Sequence, residues 1–195
     1  MIQVWHLDGK FNLDYVIFSN NLNEIFIKFA PLIKGRFFMI KYSRLTKEQF
    51  EELHQEFINF LATQSITGEE WKQIKKDKPE AAEEELDIFS DLIWEGVLSK
   101  ANYLENISPQ QLFLFKIEEN AMKLIVVKTT NEAIDITTTE GYQWLQENFA
   151  EDEVEFFTST KEFSEDKNGD VFSLIQQGAN ITKGALFAFF DKIVN

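Results

Sequence analysis

The side chains best placed to do chemistry together are Asp87, Asp91 and Glu95. They recur every four residues and so share one face of any helix that contains them. Like charges at that spacing repel slightly, which invites a divalent cation, a basic side chain or a basic protein to sit over them. Carboxylate oxygens suit a hard cation such as Mg2+. A metal-dependent enzyme built on Asp87, Asp91 and Glu95, with His54 as a further ligand, is one reading. The other is a solvated face, or ion pairs with Lys72, Lys75 or Lys76. Glu51 and His54 form an E-x-x-H pair, but a di-iron bundle needs two such motifs and two more Glu. The only other histidine is His6.

Other constellations fall short. Asp166-Lys167-Asn168-Gly169-Asp170 has an EF-hand flavour, yet its Gly is out of phase and the twelfth position is Gln177. It reads as a turn before a helix cap. Val171–Gln177 and Thr182–Val194, broken at Gly178, have the outline of a helix-turn-helix. The second helix, however, offers only Lys183 and Lys192 and is otherwise rich in Phe, which suits a core better than a DNA groove. The chain has no phosphate-binding glycine loop and no G-x-S-x-G elbow, and it lacks cysteine altogether. Thiol nucleophiles, disulfides and Cys-ligated metals are thereby excluded.

The elements that must position these residues follow from hydrophobic period. A helix over Pro79 to about Ala101 is central. Pro suits a first helical position, and Glu80, Glu83, Glu84 and Glu85 crowd the end where the helix dipole favours anions. Ala82, Leu86, Phe89, Ile93 and Val97 make its stripe. Ile88, Leu92, Trp94 and Leu98 widen that stripe until the last half is apolar most of the way round, as in a buried helix. Before it, Thr46 with Gln49 and Thr67 with Glu70 are capping-box pairs opening two helices. The first runs to about Gln64 on Phe50, Leu53, Phe57, Phe60 and Leu61. The second, Gly68 to about Lys76, carries Trp71 and Ile74. After Ser108-Pro109 the period changes. Leu112–Ile117 and Met122–Lys128 read as a hairpin joined by residues 118–121, with helices packed on the sheet. Ala133–Ile136 and Val154–Thr158 are further short strands. Helices are expected over 141–149 (capped by Thr137), from Asp170 to Gln177, and after Thr182. The fold class is α+β: a small antiparallel sheet packed with helices.

Composition bounds the function. The chain has 195 residues, 20 of them Phe, and a net charge of −14. That size and apolar content suit one globular domain. The charge opposes direct binding to nucleic acid or an anionic membrane surface. No apolar run reaches the roughly 18 residues of a membrane span. Residues 1–38 differ from the rest: they hold four basic and three acidic residues, against fifteen and thirty in the remainder. They read as upstream sequence translated in frame, or as a loosely docked extension, ahead of a single domain over residues 39–195.

From Met39 onward the sequence resembles a small domain-of-unknown-function family of the Bacteroidota. Leu45–Thr67 (LTKEQFEELHQEFINFLATQSIT), Phe89–Glu105 (FSDLIWEGVLSKANYLE), Asp135–Leu145 (DITTTEGYQWL) and Glu165–Gly184 (EDKNGDVFSLIQQGANITKG) carry the resemblance. It implies a bacterial, cytoplasmic protein. It brings no functional residue and no cofactor. From the negative net charge and the lack of any catalytic constellation, the functional expectation is a non-enzymatic adaptor or regulatory domain with a protein partner. That partner would be bound through an acidic face (Glu83, Glu84, Asp87, Asp91, Glu95) or an exposed aromatic such as Trp71 or Trp94. The alternatives are the metal-dependent enzyme and an acidic mimic of nucleic acid.

Overall fold

The structure is a computed structural model that describes residues 40–195; the expectations for residues 1–38, and His6 with them, lie outside the described residues. The described chain divides into two compact units, residues 40–100 and Ala101–Asn195.

Residues 40–100 are helical. Helices α1 (Lys47–Glu52) and α2 (His54–Thr63) follow Thr46, and α3 (Gly68–Asp77) and α4 (Pro79–Leu98) complete the unit. Both capping boxes form. Thr46 accepts from the Gln49 amide and Gln49 accepts from the Thr46 amide at 2.8 Å; Thr67 and Glu70 do the same. The single helix expected after Thr46 is instead two, separated at Leu53 (φ −96°, ψ 19°). Leu53 is fully buried, so the break sits where the chain turns an apolar residue into the core. Pro79 opens α4, which ends at Leu98, three residues earlier than expected, with Ser99 as its cap. Its second half is buried at Phe89, Leu92, Ile93, Trp94, Val97 and Leu98. Phe89, wholly shielded from solvent, is the hub of an aromatic cluster. The rings of Phe57, Phe60 and Phe50 lie 5.1, 5.5 and 5.7 Å from it. Such contacts add roughly 0.5–1.5 kcal/mol per pair beyond area burial.

Residues from Ala101 onward form a five-stranded, wholly antiparallel sheet with α-helices, in strand order β4-β3-β2-β1-β5. In chain order the elements are β1 (Tyr103–Ser108), β2 (Gln111–Ile117), β3 (Ala121–Thr129), α5 (Thr139–Asn148), β4 (Val154–Glu162), α6 (Lys167–Gln176), β5 (Asn180–Thr182) and α7 (Ala185–Val194). The expected hairpin is β2–β3, closed by the Glu118 amide on the Ala121 carbonyl at 2.9 Å. On one sheet face Leu112, Leu114, Ile125 and Val127 pack with Ile136, Leu145, Phe187 and Phe190.

Several boundaries move for identifiable reasons. Residues 133–136 form no strand: the Ile136 amide donates to the Pro109 carbonyl and the Ala133 amide to the Asn131 side chain. Thr137 does not cap α5, because its amide and hydroxyl both donate to the Asp135 carboxylate. Thr138 caps instead, accepting from the Gly141 amide. Asp166, not Asp170, caps α6; Asp170 reaches back to accept from the Ser164 amide at 2.7 Å. Strand β5 separates α6 from α7, which removes the helix-turn-helix outline. Gly184, not Thr182, is the residue before α7. It is left-handed (φ 74°), and a Cβ there would lie 2.3 Å from the Tyr103 ring.

Gly184→Ala should therefore destabilise the α/β unit by more than about 1 kcal/mol in chemical denaturation, since backbone strain and ring overlap add. Gly68→Ala, where a Cβ would meet nothing within 4 Å, should be neutral or slightly stabilising.

Candidate functional site

The carboxylates of α4 lie on one row, and within the helical unit residues 41–45 run across it as a strap. The Lys41 and Tyr42 amides donate to the two oxygens of Asp91, at 2.7 and 2.9 Å. The Tyr42 hydroxyl donates to Glu95, and Lys41 Nζ lies 3.7 Å from the same carboxylate. Arg44 Nε donates to Asp87 at 2.6 Å, while its terminal nitrogens reach the Glu83 carboxylate and backbone carbonyl. The fastening continues beyond the acids. The Leu45 amide donates to Ser90 Oγ at 3.1 Å, and Trp94 Nε1–H to the Ser43 carbonyl at 2.9 Å.

The row Glu83, Asp87, Asp91, Glu95 thus serves a contact inside the chain. Among the described residues its basic partners are Lys41 and Arg44, not the Lys72, Lys75 or Lys76 that one alternative reading offered. Lys72 pairs with Glu69 at 2.7 Å, and Lys75 lies 5.8 Å over the Trp71 ring. His54 does not join the row. It lines a groove described below, which no carboxylate among the described residues lines. Among the described residues no three His, Asp or Glu side chains gather as a metal ion would require. Glu84 is exposed. Trp94 is not: it retains only 7% exposure.

Electrostatics follow from these contacts. Burial pushes the Asp91 carboxyl above its ordinary range, partly offset by the Lys41 and Tyr42 amides. Burial raises Glu85 as well, against the hydrogen bond from Gln64 at 2.6 Å. The Arg44 guanidinium is held further toward its charged form, first by its hydrogen bond to Asp87. In the other unit, burial raises Glu105 against its bond from Thr182.

Beside the strap, α1, α2, α3 and the start of α4 enclose an open groove of about 590 Å³. Its floor and walls are Leu45, Phe50, Phe57, Leu61, Ile66, Trp71 and Leu86. Ile58, 53% exposed, stands at it. Trp71 is half-buried, edge-on to Phe57 at 5.3 Å. The polar groups that line it are Arg44, Lys47, Lys75 and His54. A volume of this size lies in the range of ligand and peptide clefts. Among the described residues that line it, Arg44, Lys47 and Lys75 are cations and none is a carboxylate, with Arg44 paired to Glu83 and Asp87 and Lys47 to Glu51 at 3.7 Å just outside the lining. Sequence reasoning missed this groove. The available signal was Ile58, an apolar residue one step off the Phe50–Phe57–Leu61 stripe, above a neighbouring Lys75–Trp71 pair.

Two outcomes test this geometry. Asp91→Ala strands the Lys41 and Tyr42 amides without their acceptors. It should cost about 1–3 kcal/mol and raise hydrogen exchange at those two amides selectively. For pH, Asp91, Glu85 and Glu105 hold protons more tightly folded than unfolded. The native state therefore takes up protons first, and stability rises as pH falls from neutral through their raised values, with the gain complete below the ordinary carboxylate range. On this contribution, denaturation midpoints should climb as pH falls from neutral toward the ordinary carboxylate range.

Among the described residues no helix is long and apolar enough to cross a membrane. Comparison with known proteins found no similar curated protein and no similar solved structure. A family model does match, over residues 39–195. It takes in the strap, the carboxylate row, the groove and the whole sheet, and the chain belongs to that family, a family of unknown function (DUF6495).

Proposed function

We propose that this protein is a non-enzymatic interaction or regulatory domain, and that its groove receives an acidic amphipathic helix from a partner protein. The observation that carries the reading is the lining of the groove: an apolar cleft edged by Arg44, Lys47, Lys75 and His54, with no carboxylate among the described lining residues, in a strongly acidic chain. A helix laid in a groove inserts residues at i, i+3, i+4 and i+7. Phe57, Ile58, Leu61 and Trp71 offer apolar surface for such anchors. Carboxylates on the helix flanks would meet Lys47 and Lys75. Complementary charge of this kind sets orientation and excludes wrong partners more than it adds affinity. Of the two tryptophans considered from sequence, Trp71 lines the groove and Trp94 is buried, which supports Trp71 as the contact. The acidic row on α4 contributes indirectly, by fixing the strap whose Arg44 and Leu45 form one wall. A cytoplasmic location and an origin in the Bacteroidota belong to the same reading, on the strength of the family resemblance.

The test is calorimetric titration with a synthetic helical peptide of about 18 residues, Leu and Phe at the anchor positions and Glu elsewhere. It should bind with a dissociation constant on the order of tens of micromolar. The same peptide with Lys for Glu should bind at least tenfold more weakly. Ile58→Glu should abolish binding without changing the melting temperature. Equal binding of both peptides, or no effect of Ile58→Glu, would overturn the proposal.

A further inference from the structure

The outer edge of the sheet is long and regular. Among the described residues β4 is an edge strand, paired only with β3. It is nine residues long, and its register with β3 runs unbroken from Thr129↔Val154 to Ala121↔Glu162. It contains no proline, glycine or bulge. Residues Phe157 to Glu162 are all exposed, Phe157 at 53%. Folded proteins normally blunt such an edge, because its free N–H and C=O groups template another strand. The opposite edge, β5, is only three residues long.

The phase of the free groups is fixed by the ladder. Thr130 donates to the Glu153 carbonyl at one end, and Phe163 to the Asn120 carbonyl at the other. Hydrogen-bonded and non-hydrogen-bonded pairs alternate along an antiparallel ladder. Residues 155, 157, 159 and 161 therefore bond to β3, and the amides and carbonyls of Phe156, Thr158, Thr160 and Glu162 point out of the sheet.

We propose that β4 pairs antiparallel with the β4 of a second copy of this chain, about a two-fold axis at Thr158. In that register the outward groups of Thr158 meet their own copies, and those of Phe156 meet the partner's Thr160. Glu155 falls opposite the partner's Lys161, and Lys161 opposite the partner's Glu155, in a non-hydrogen-bonded pair where side chains come closest. Phe157 stands diagonal to the partner's Phe157 on the same face, within reach for an aromatic side chain. One register thus satisfies the free backbone, pairs both ions and covers the exposed ring. The net repulsion of two acidic copies is screened over about 8 Å at physiological salt, so contacts at the strand decide the outcome.

Sedimentation equilibrium of the full chain at physiological salt tests this. The wild type should approach twice 22.8 kDa as concentration rises through the micromolar range. Lys161→Glu and Glu155→Lys should each be monomeric, and an equimolar mixture of the two should regain a one-to-one dimer. Glu155→Lys also loses the 3.3 Å contact to Lys128, an exposed pair whose loss costs little. Thr158→Pro, which removes an outward N–H and no β3 bond, should abolish the dimer too. Circular dichroism reports whether each variant folds. A monomeric wild type, a dimer that survives both Lys161→Glu and Thr158→Pro, or a mixture that stays monomeric would overturn the proposal.

Discussion

Glu83, Asp87, Asp91 and Glu95 place four carboxylates on one row of one helix. Left alone, such a row destabilises the helix through like-charge repulsion between successive turns. The chain answers it with its own residues 41–45, which offer two amides, a phenol, an ammonium and a guanidinium along the row. Two different kinds of fit hold the strap. Asp91 takes both backbone amides, which fixes where the strap lies. Arg44 spans Glu83 and Asp87, which fixes its direction. Individual exposed ion pairs contribute little, but a carboxylate accepting two backbone amides is a charge-assisted and geometrically specific contact.

That placement has a consequence for the groove. Arg44 and Leu45 are both strap residues and both groove residues. The acids of α4 thus pull a cation to the rim of a cleft that no acid among the described residues lines. The opposite wall is set by Phe57, which touches Phe89, Phe60, Phe50 and Trp71 at once. The aromatic cluster supplies rigidity under the groove and the strap supplies charge beside it. The family match begins at residue 39, two residues before Lys41, so the strap lies within the family's extent.

Helix periods and caps were legible in the sequence because they are local. The Thr46–Gln49 and Thr67–Glu70 boxes, Pro79 at a helix start and the β2–β3 hairpin all depend on residues a few positions apart. The failures are equally specific. Strand β1 went unread because Glu105 interrupts its apolar alternation, and Glu105 is there to accept from Thr182, seventy-seven residues away. The caps of α5 and α6 shifted because Thr137 and Asp170 are spent on Asp135 and Ser164. The acidic row was visible, but its partner was not: Lys41 and Arg44 precede it by some forty to fifty residues, and nothing local links them. Trp94 was taken as a surface aromatic, whereas its indole N–H is anchored on Ser43. The groove is a product of packing among four helices, and only the out-of-phase Ile58 marked it.

The central claim is that partners meet the groove and not the acidic row. Site-specific photocrosslinking in the native host tests it most directly, with a photoreactive residue at Ile58 or, separately, at Glu84, and mass spectrometry of the adducts. The account predicts adducts from position 58 whose attached peptide carries apolar residues at helical spacing between Glu and Asp, and none from position 84. Adducts from position 84 alone, or a basic peptide joined at position 58, would contradict it.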